Sequence, residues 1–265
     1  MREPLIDIVA APEQPGGARW QAVALGGSVA GVAGLRPTIP LPALSDPGPD
    51  AAELTLYVEP EWRRRGIGSR LLAAVREHSA APRLLADVTA GSPAEAFCRR
   101  HGFRHTLSRR HDLLTYCDVH QAWLGELVDA EHPGYRLIHW TGHLPGAPDI
   151  QDLLRSPSHP GNAVLTAADA DGDLAAYAVA VVGRPAEPRA RQYGPAVLPG
   201  HHGRRLGLWV NAALIQRLRE IHPQITEIET AAAGDDPVLP AARRHLGFHP
   251  VRRTRLYELR ERGRS

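Results

Sequence analysis

The stretch VEPEWRRRGIGSRLLAAV, residues 58–75, decides the reading, because the chain carries it twice: VLPGHHGRRLGLWVNAAL, residues 197–214, aligns with it without a gap at a spacing of 139 residues. Val58 pairs with Val197, Pro60 with Pro199 and Gly68 with Gly207. The apolar residues Ile67, Leu71 and Val75 pair with Leu206, Val210 and Leu214. Positions four apart share one face of a helix, so each copy predicts an amphipathic helix after a basic loop. Working outward, each copy follows a strand-like run, ELTLYV at 53–58 and QYGPAV at 192–197, the second weakened by Gly194 and Pro195. Each then continues into an apolar run (PRLLADVT, 82–89; QITEIET, 224–230), a helix begun by proline and a Gly-Phe turn (HGF, 101–103; LGF, 246–248). A charged alternating stretch closes each half, RHTLSRRHDLLTY and HPVRRTRLYEL. Upstream lie paired strand candidates, RWQAVAL with SVAGVAGL and NAVLTAA with DLAAYAVAVV. Asp171-Gly172 makes the second pair a hairpin. An EF-hand reading of ADADGD fails on spacing and on the missing closing Glu.

The loop Arg63-Arg64-Arg65-Gly66-Ile67-Gly68-Ser69-Arg70 has the chemistry of a pyrophosphate cradle. Glycines let the backbone N–H groups approach a ligand, the helix start adds partial positive charge, and arginines neutralise phosphate. The alternative is a solvated arginine run. A dinucleotide-binding fingerprint would need a third glycine, and Gly66-Ile67-Gly68-Ser69-Arg70-Leu71 lacks it.

Composition excludes several classes. All 31 basic residues are arginine, a bias in keeping with a high-GC bacterial genome, and without lysine there is neither a P-loop nor a Schiff-base site. A net charge of +2 speaks against a dedicated nucleic-acid partner. Cys98 and Cys117 are too few for a disulfide framework or a Cys-rich zinc site, and no metal is expected. No run approaches 18 apolar residues, so no membrane partner is expected. The start MREPLIDIVAAPEQPGG lacks a signal-peptide core, so the expected compartment is the cytoplasm.

Taken together, these motifs resemble the GNAT acyltransferase superfamily, in a tandem layout similar to that of the mycothiol synthases. Arg63, Gly66 and Gly68 fill the R/Q-x-x-G-x-G/A coenzyme A loop; His202, Arg205 and Gly207 fill it in part. The resemblance implies an α/β (α+β) chain of two tandem GNAT-fold domains, each a mixed, mostly antiparallel sheet flanked by helices. The expected boundaries are 1–117, a linker helix at 118–134, and 135–265. It further implies that acetyl-CoA or another acyl-CoA is the co-substrate. Its pantetheine arm would lie along Leu56, Tyr57 and Val58 in one half and Ala196 and Val197 in the other. Its pyrophosphate would lie on Arg63 to Arg70, and on His202, Gly203, Arg204, Arg205, Leu206 and Gly207.

The activity implied is N-acyl transfer, most simply N-acetyl transfer to a small-molecule amine, by direct attack on the thioester, in a monomer or homodimer. The alternative is a coenzyme-binding pseudoenzyme, or a GNAT scaffold turned to other thioester chemistry. The helix position that often carries the tyrosine acid holds Cys98 and Arg243 here. Cys98 reads as a small buried residue, and Arg243 as a phosphate contact or a solvated charge. Tyr193 and Tyr257 are further candidates for the acid. Candidate bases are Glu53, Glu229 and His201, a buried glutamate being expected to rise towards neutrality. The helices that wall the acceptor site in the family have little room: about 18 residues precede RWQAVAL, and HLPGAPDIQDLLRSPSHPGN at 143–162 fits one short helix.

Overall fold

In the computed structural model, which describes residues 6–11, 17–39, 41, 50–146, 148–183, 187–234 and 243–260, every strand run read from the sequence lies in a strand. The chain divides into two compact units, one of Met1–Ile39, Pro47–Leu107 and Arg255–Ser265, the other of Pro40–Asp46 and Ser108–Thr254.

In the first unit, strands β1 (Ile6–Ala10), β2 (Ala18–Ala24), β3 (Val29–Pro37) and β4 (Ala51–Val58) pair antiparallel in sequence order. β5 (Arg83–Thr89) then joins β4 in parallel. Next come residues 255–260 of β12 (His249–Arg260) and residues 104–107 of β6 (Arg104–Thr115). Helix α1 (Ile67–His78) makes the crossover from β4 to β5, which a parallel pair requires. Its apolar stripe packs as the repeat predicts: Ile67, Leu71 and Val75 are buried against Trp20, Ala33, Leu54 and Leu84. Helix α2 (Pro93–Arg100) begins at Pro93 behind a Ser92 cap that accepts from the Glu95 N–H at 3.2 Å.

In the second unit the order is β7 (Arg136–Gly142), β8 (Ala163–Ala170), β9 (Asp173–Val182), β10 (Arg189–Val197) and β11 (Glu227–Ala233). Residues 108–115 of β6 and 249–254 of β12 complete it. β10 and β11 are parallel, joined by α5 (Leu206–Ile221). Asp171 and Gly172 adopt positive φ, 53° and 98°, as the β8–β9 hairpin needs. Helix α3 (Gln121–Asp129) lies on α5: Leu124 joins its core, and Trp209 Nε1 donates to the Val128 carbonyl at 2.9 Å. The one short helix expected at 143–162 is α4 (Ile150–Arg155). β1 and β7 had no sequence signal of their own. No helix of the described residues is long and apolar enough to cross a membrane.

Candidate functional site

Each unit contains one place where paired strands part. β4 pairs with β5 only at Ala51, Ala52 and Glu53, yet remains paired with β3 as far as Val58. From Leu54 onward its other edge has no β5 partner. Along that edge Leu56 and Val58 direct their backbone groups away from β3, whereas Tyr57, in step with the Glu59 N–H that bonds Ala30, turns its own towards β3. β10 likewise pairs with β11 only from Arg189 to Gln192, and continues along β9 to Val197. Here the ladder shifts register between Tyr193 and Ala196, a bulge that further frees backbone groups. The β3–β4 ladder runs without such a shift.

Each parted strand leads into a basic loop, and the last four residues of the two loops, 63–66 and 202–205, follow the same pattern of turns. Arg64 (φ 65°) and Gly66 (φ 76°) match Gly203 (φ 79°) and Arg205 (φ 59°), all left-handed. Glycine and arginine have simply changed places. An arginine in this region costs about 1–2 kcal/mol, so each loop holds one strained residue and one glycine. Gly66 and Arg205 cap α1 and α5; in α5 the Leu208 N–H donates to the Arg205 carbonyl at 3.0 Å, and helix starts of this kind suit an anion. Gly68 lets α1 approach α2, where a Cβ would lie 3.1 Å from Phe97, and Gly207 lets α5 approach β10, where a Cβ would lie 3.2 Å from Val197.

The arginines are exposed but not idle. Arg63 Nε donates to the Val58 carbonyl at 2.9 Å, tying the loop to the end of β4, and its guanidinium lies 5.8 Å from the Tyr57 ring. Arg65 lies over Trp62, 5.1 Å from the ring centroid; the matching Arg204 lies over Tyr135 at 5.5 Å and donates to its hydroxyl. Arg70 does not follow its neighbours. It turns to β1 and donates to the Ile6 carbonyl, because its helix position faces that edge strand. Ser69 Oγ and His101 Nε2 are 3.0 Å apart, and burial lowers the His101 pKa, keeping the ring neutral beside the loop. His202 is exposed on the second loop. His101 and Tyr135, both at these loops, were missed because neither sits in the repeated stretch itself.

Three candidate catalytic residues lie at or near the points of parting. Glu53 is the last β4 residue paired with β5, and Arg36 holds its carboxylate at 3.0 Å. Tyr193 is the first β10 residue beyond the β11 pairing. Glu229 lies opposite Arg191 and is anchored by His111 Nδ1 at 3.0 Å, by Arg189 at 3.1 Å and by Arg252. The His111 hydrogen bond, with the Arg252 charge, lowers its pKa to about 2, opposite to the rise a general base at neutral pH needs. His201 shares a 3.0 Å hydrogen bond with the Tyr135 hydroxyl.

Arg243 is neither solvated nor free for phosphate. It is 2% exposed, donates to Asp112 Oδ2 at 3.1 Å and to Thr230 Oγ1 at 3.0 Å, and approaches the Gly194 carbonyl at 3.5 Å. It thus reaches β6, β11 and β10 just where β10 and β11 part. Cys98 is buried, and burial pushes its thiol up to about 11, the behaviour of a small apolar residue. Tyr257, although late in the sequence, belongs to the first unit, where its hydroxyl donates to Glu95 at 2.7 Å and accepts from Arg99 at 3.1 Å. Among the described residues no group of His, Cys, Asp and Glu is placed to hold a metal ion.

Residues 18–105 match the model of an acetyltransferase (GNAT) domain. No curated protein sequence matches the chain. Among solved structures, a tandem GNAT protein from the clavulanic acid biosynthesis pathway is 25% identical with a TM-score of 0.65, covering 96% of this chain and 86% of its own. A GCN5-related N-acetyltransferase from Sphaerobacter thermophilus (17% identity, TM-score 0.55, 92% and 81% covered) shares the fold. So does one from Kribbella flavida (17%, 0.56, 80% and 82%). Residues 18–105 are therefore a GNAT acetyltransferase domain, which makes the chain a transferase by class, and along nearly its whole length the chain shares the fold of a tandem GNAT protein.

Proposed function

We propose that the protein transfers an acetyl group from acetyl-CoA to the amine of a small molecule, in the cytoplasm of a bacterium. The observation that carries this reading is the repeated conjunction of a parted strand, a left-handed basic loop and a helix start. The residues fit an acyl-CoA. A Cβ at Gly207 would crowd α5 against β10 and one at Gly68 would crowd α1 against Phe97 of α2, and loop and helix N–H groups suit a pyrophosphate. Arg63, Arg64 and Arg65 with Gly66 to Ser69 would hold it in the first unit, and His202 to Gly207 in the second.

When bound, the acyl-CoA supplies an activated thioester. Backbone N–H groups freed by the β10 bulge would stabilise negative charge developing on an acyl oxygen held beside them. Tyr193 holds a proton on its phenol beside the bulge, where a leaving thiolate would take it up. Glu229, ionised throughout the neutral range, orients His111.

A second reading, coenzyme binding without transfer, draws on the buried Arg243–Asp112 pair that occupies the parting of β10 and β11. Calorimetry with acetyl-CoA, followed by thiol release assayed over a panel of amines, separates the two. Acetyl-CoA binding with amine-dependent release supports transfer, and binding without release supports the second reading. Neither binding nor release overturns both.

A further inference from the structure

Gln192 is 3% exposed, and neither its amide oxygen nor its amide nitrogen has a hydrogen-bond partner among the described residues. It is the last β10 residue paired with β11, opposite Thr230, and shares the core-facing side of the strand with Ala190. A buried carboxamide with both functions unpaired is destabilising, and native folds keep few of them. The first unit shows what the plan otherwise uses. The bulge adds one residue to β10, so Gln192 and Ala190 stand where β4 has Leu54 and Ala52, both in an apolar core. A glutamine has therefore replaced a core leucine at the point where the second cleft opens.

The unmet chemistry is specific: one acceptor and a pair of donors on one planar group. A phosphate or a thioester carbonyl would meet only the donors, whereas a secondary amide meets both functions. The pantetheine arm of coenzyme A carries two secondary amides. We infer that the Gln192 carboxamide pairs with a pantetheine amide in the cleft between β10 and β11, so that a side chain adds to the backbone contacts there. This rests on the acyl-CoA reading above. Arg243, spanning Thr230 and the Gly194 carbonyl with Asp112 balancing its charge, holds the two strands apart around that amide.

The test uses the full chain, with free CoA and acetyl-CoA as probes. Calorimetry on the wild type comes first: if it binds neither probe, the acyl-CoA reading falls, and this inference with it. The binding step removed by Gly207→Trp reports the second cleft. Gln192→Leu is expected to raise the Tm of the ligand-free protein, since it removes the unpaired amide, and to weaken that step about tenfold for both probes. The side-chain amide NMR signals missing from the Gln192→Leu spectrum should shift when CoA is added to the wild type. Wild-type affinity in Gln192→Leu with unmoved amide signals overturns the inference alone. Loss confined to acetyl-CoA also overturns it, because the contact would then be to the thioester carbonyl.

Discussion

Removing Asp112 should expose how the second unit tolerates a guanidinium in its interior. Asp112 and Arg243 are each 2% exposed and meet at 3.1 Å, while Arg110 grips the same carboxylate through two bonds of 3.0 and 2.9 Å. In Asp112→Ala the two arginines respond differently. Arg110 is 21% exposed and can turn to water, but Arg243 is buried, and its hydrogen bonds to Thr230 and to backbone carbonyls do not balance a full charge. Breaking a buried pair from one side costs about 3–5 kcal/mol, whereas replacing both partners by apolar groups of similar volume is close to neutral. Asp112→Ala should therefore lose about 3–5 kcal/mol in urea unfolding. Asp112→Leu with Arg243→Met should recover most of that loss, giving a coupling energy above about 2 kcal/mol. A single-variant loss under about 1 kcal/mol, or a double variant as destabilised as the sum of the singles, would refute the argument.

Further expectations follow from the same contacts. Glu229 titrates near 2 in the folded state against its ordinary 4.5, so its contribution is complete above pH 4.5 and is lost as pH falls from 4.5 towards 2. After allowance for partial exposure it is worth about 2 kcal/mol, and Glu229→Gln should flatten that acid limb in pH-dependent unfolding. Cys117 is exposed and Cys98 is buried with its thiol pushed up to about 11, so mass spectrometry after iodoacetamide at pH 8 should find one alkylated cysteine, Cys117, until the chain is unfolded. Gly66→Ala should cost about 1 kcal/mol, because alanine meets the left-handed penalty there. Arg205→Gly at the matching position should be neutral or stabilising by up to about 1 kcal/mol; an equal loss in both would show that the two loops differ in conformation.

The repeated stretch made the loops and their helices legible, because Ile67, Leu71, Val75 and their counterparts four apart have one workable orientation. Three things were not legible. β1 and β7 are short edge strands whose sequences, IDIVA and RLIHWTG, carry no distinctive pattern outside the sheet. The strand ends were read as closing their own halves. In the structure Ser108–Thr115 of β6 pairs with β11 in the second unit, and Arg255–Arg260 of β12 lies in the first, pairings no local signal encodes. Finally, the gapless alignment conceals the bulge in β10. Read at constant spacing, Gln192 matches Glu53, an outward strand residue; with the extra residue it matches Leu54, and its burial becomes a question of chemistry.

The absence of lysine takes on a structural meaning at the loops. A lysine presents one compact charge at the end of a flexible stem, and whatever it binds uses its only polar group. A guanidinium has five donors in a fixed plane and a face that stacks on aromatic rings. Arg63 spends one donor on the Val58 carbonyl and keeps four; Arg65 lies over Trp62, and Arg204 lies over Tyr135 while giving one donor to its hydroxyl. The same side chains that fasten each loop to its strand or its aromatic neighbour can therefore also neutralise a phosphate. A loop fastened this way keeps its left-handed backbone, and hence its row of N–H groups, before any ligand arrives. A lysine-free composition is thus compatible with loops whose arginines both fasten the backbone and carry the positive charge.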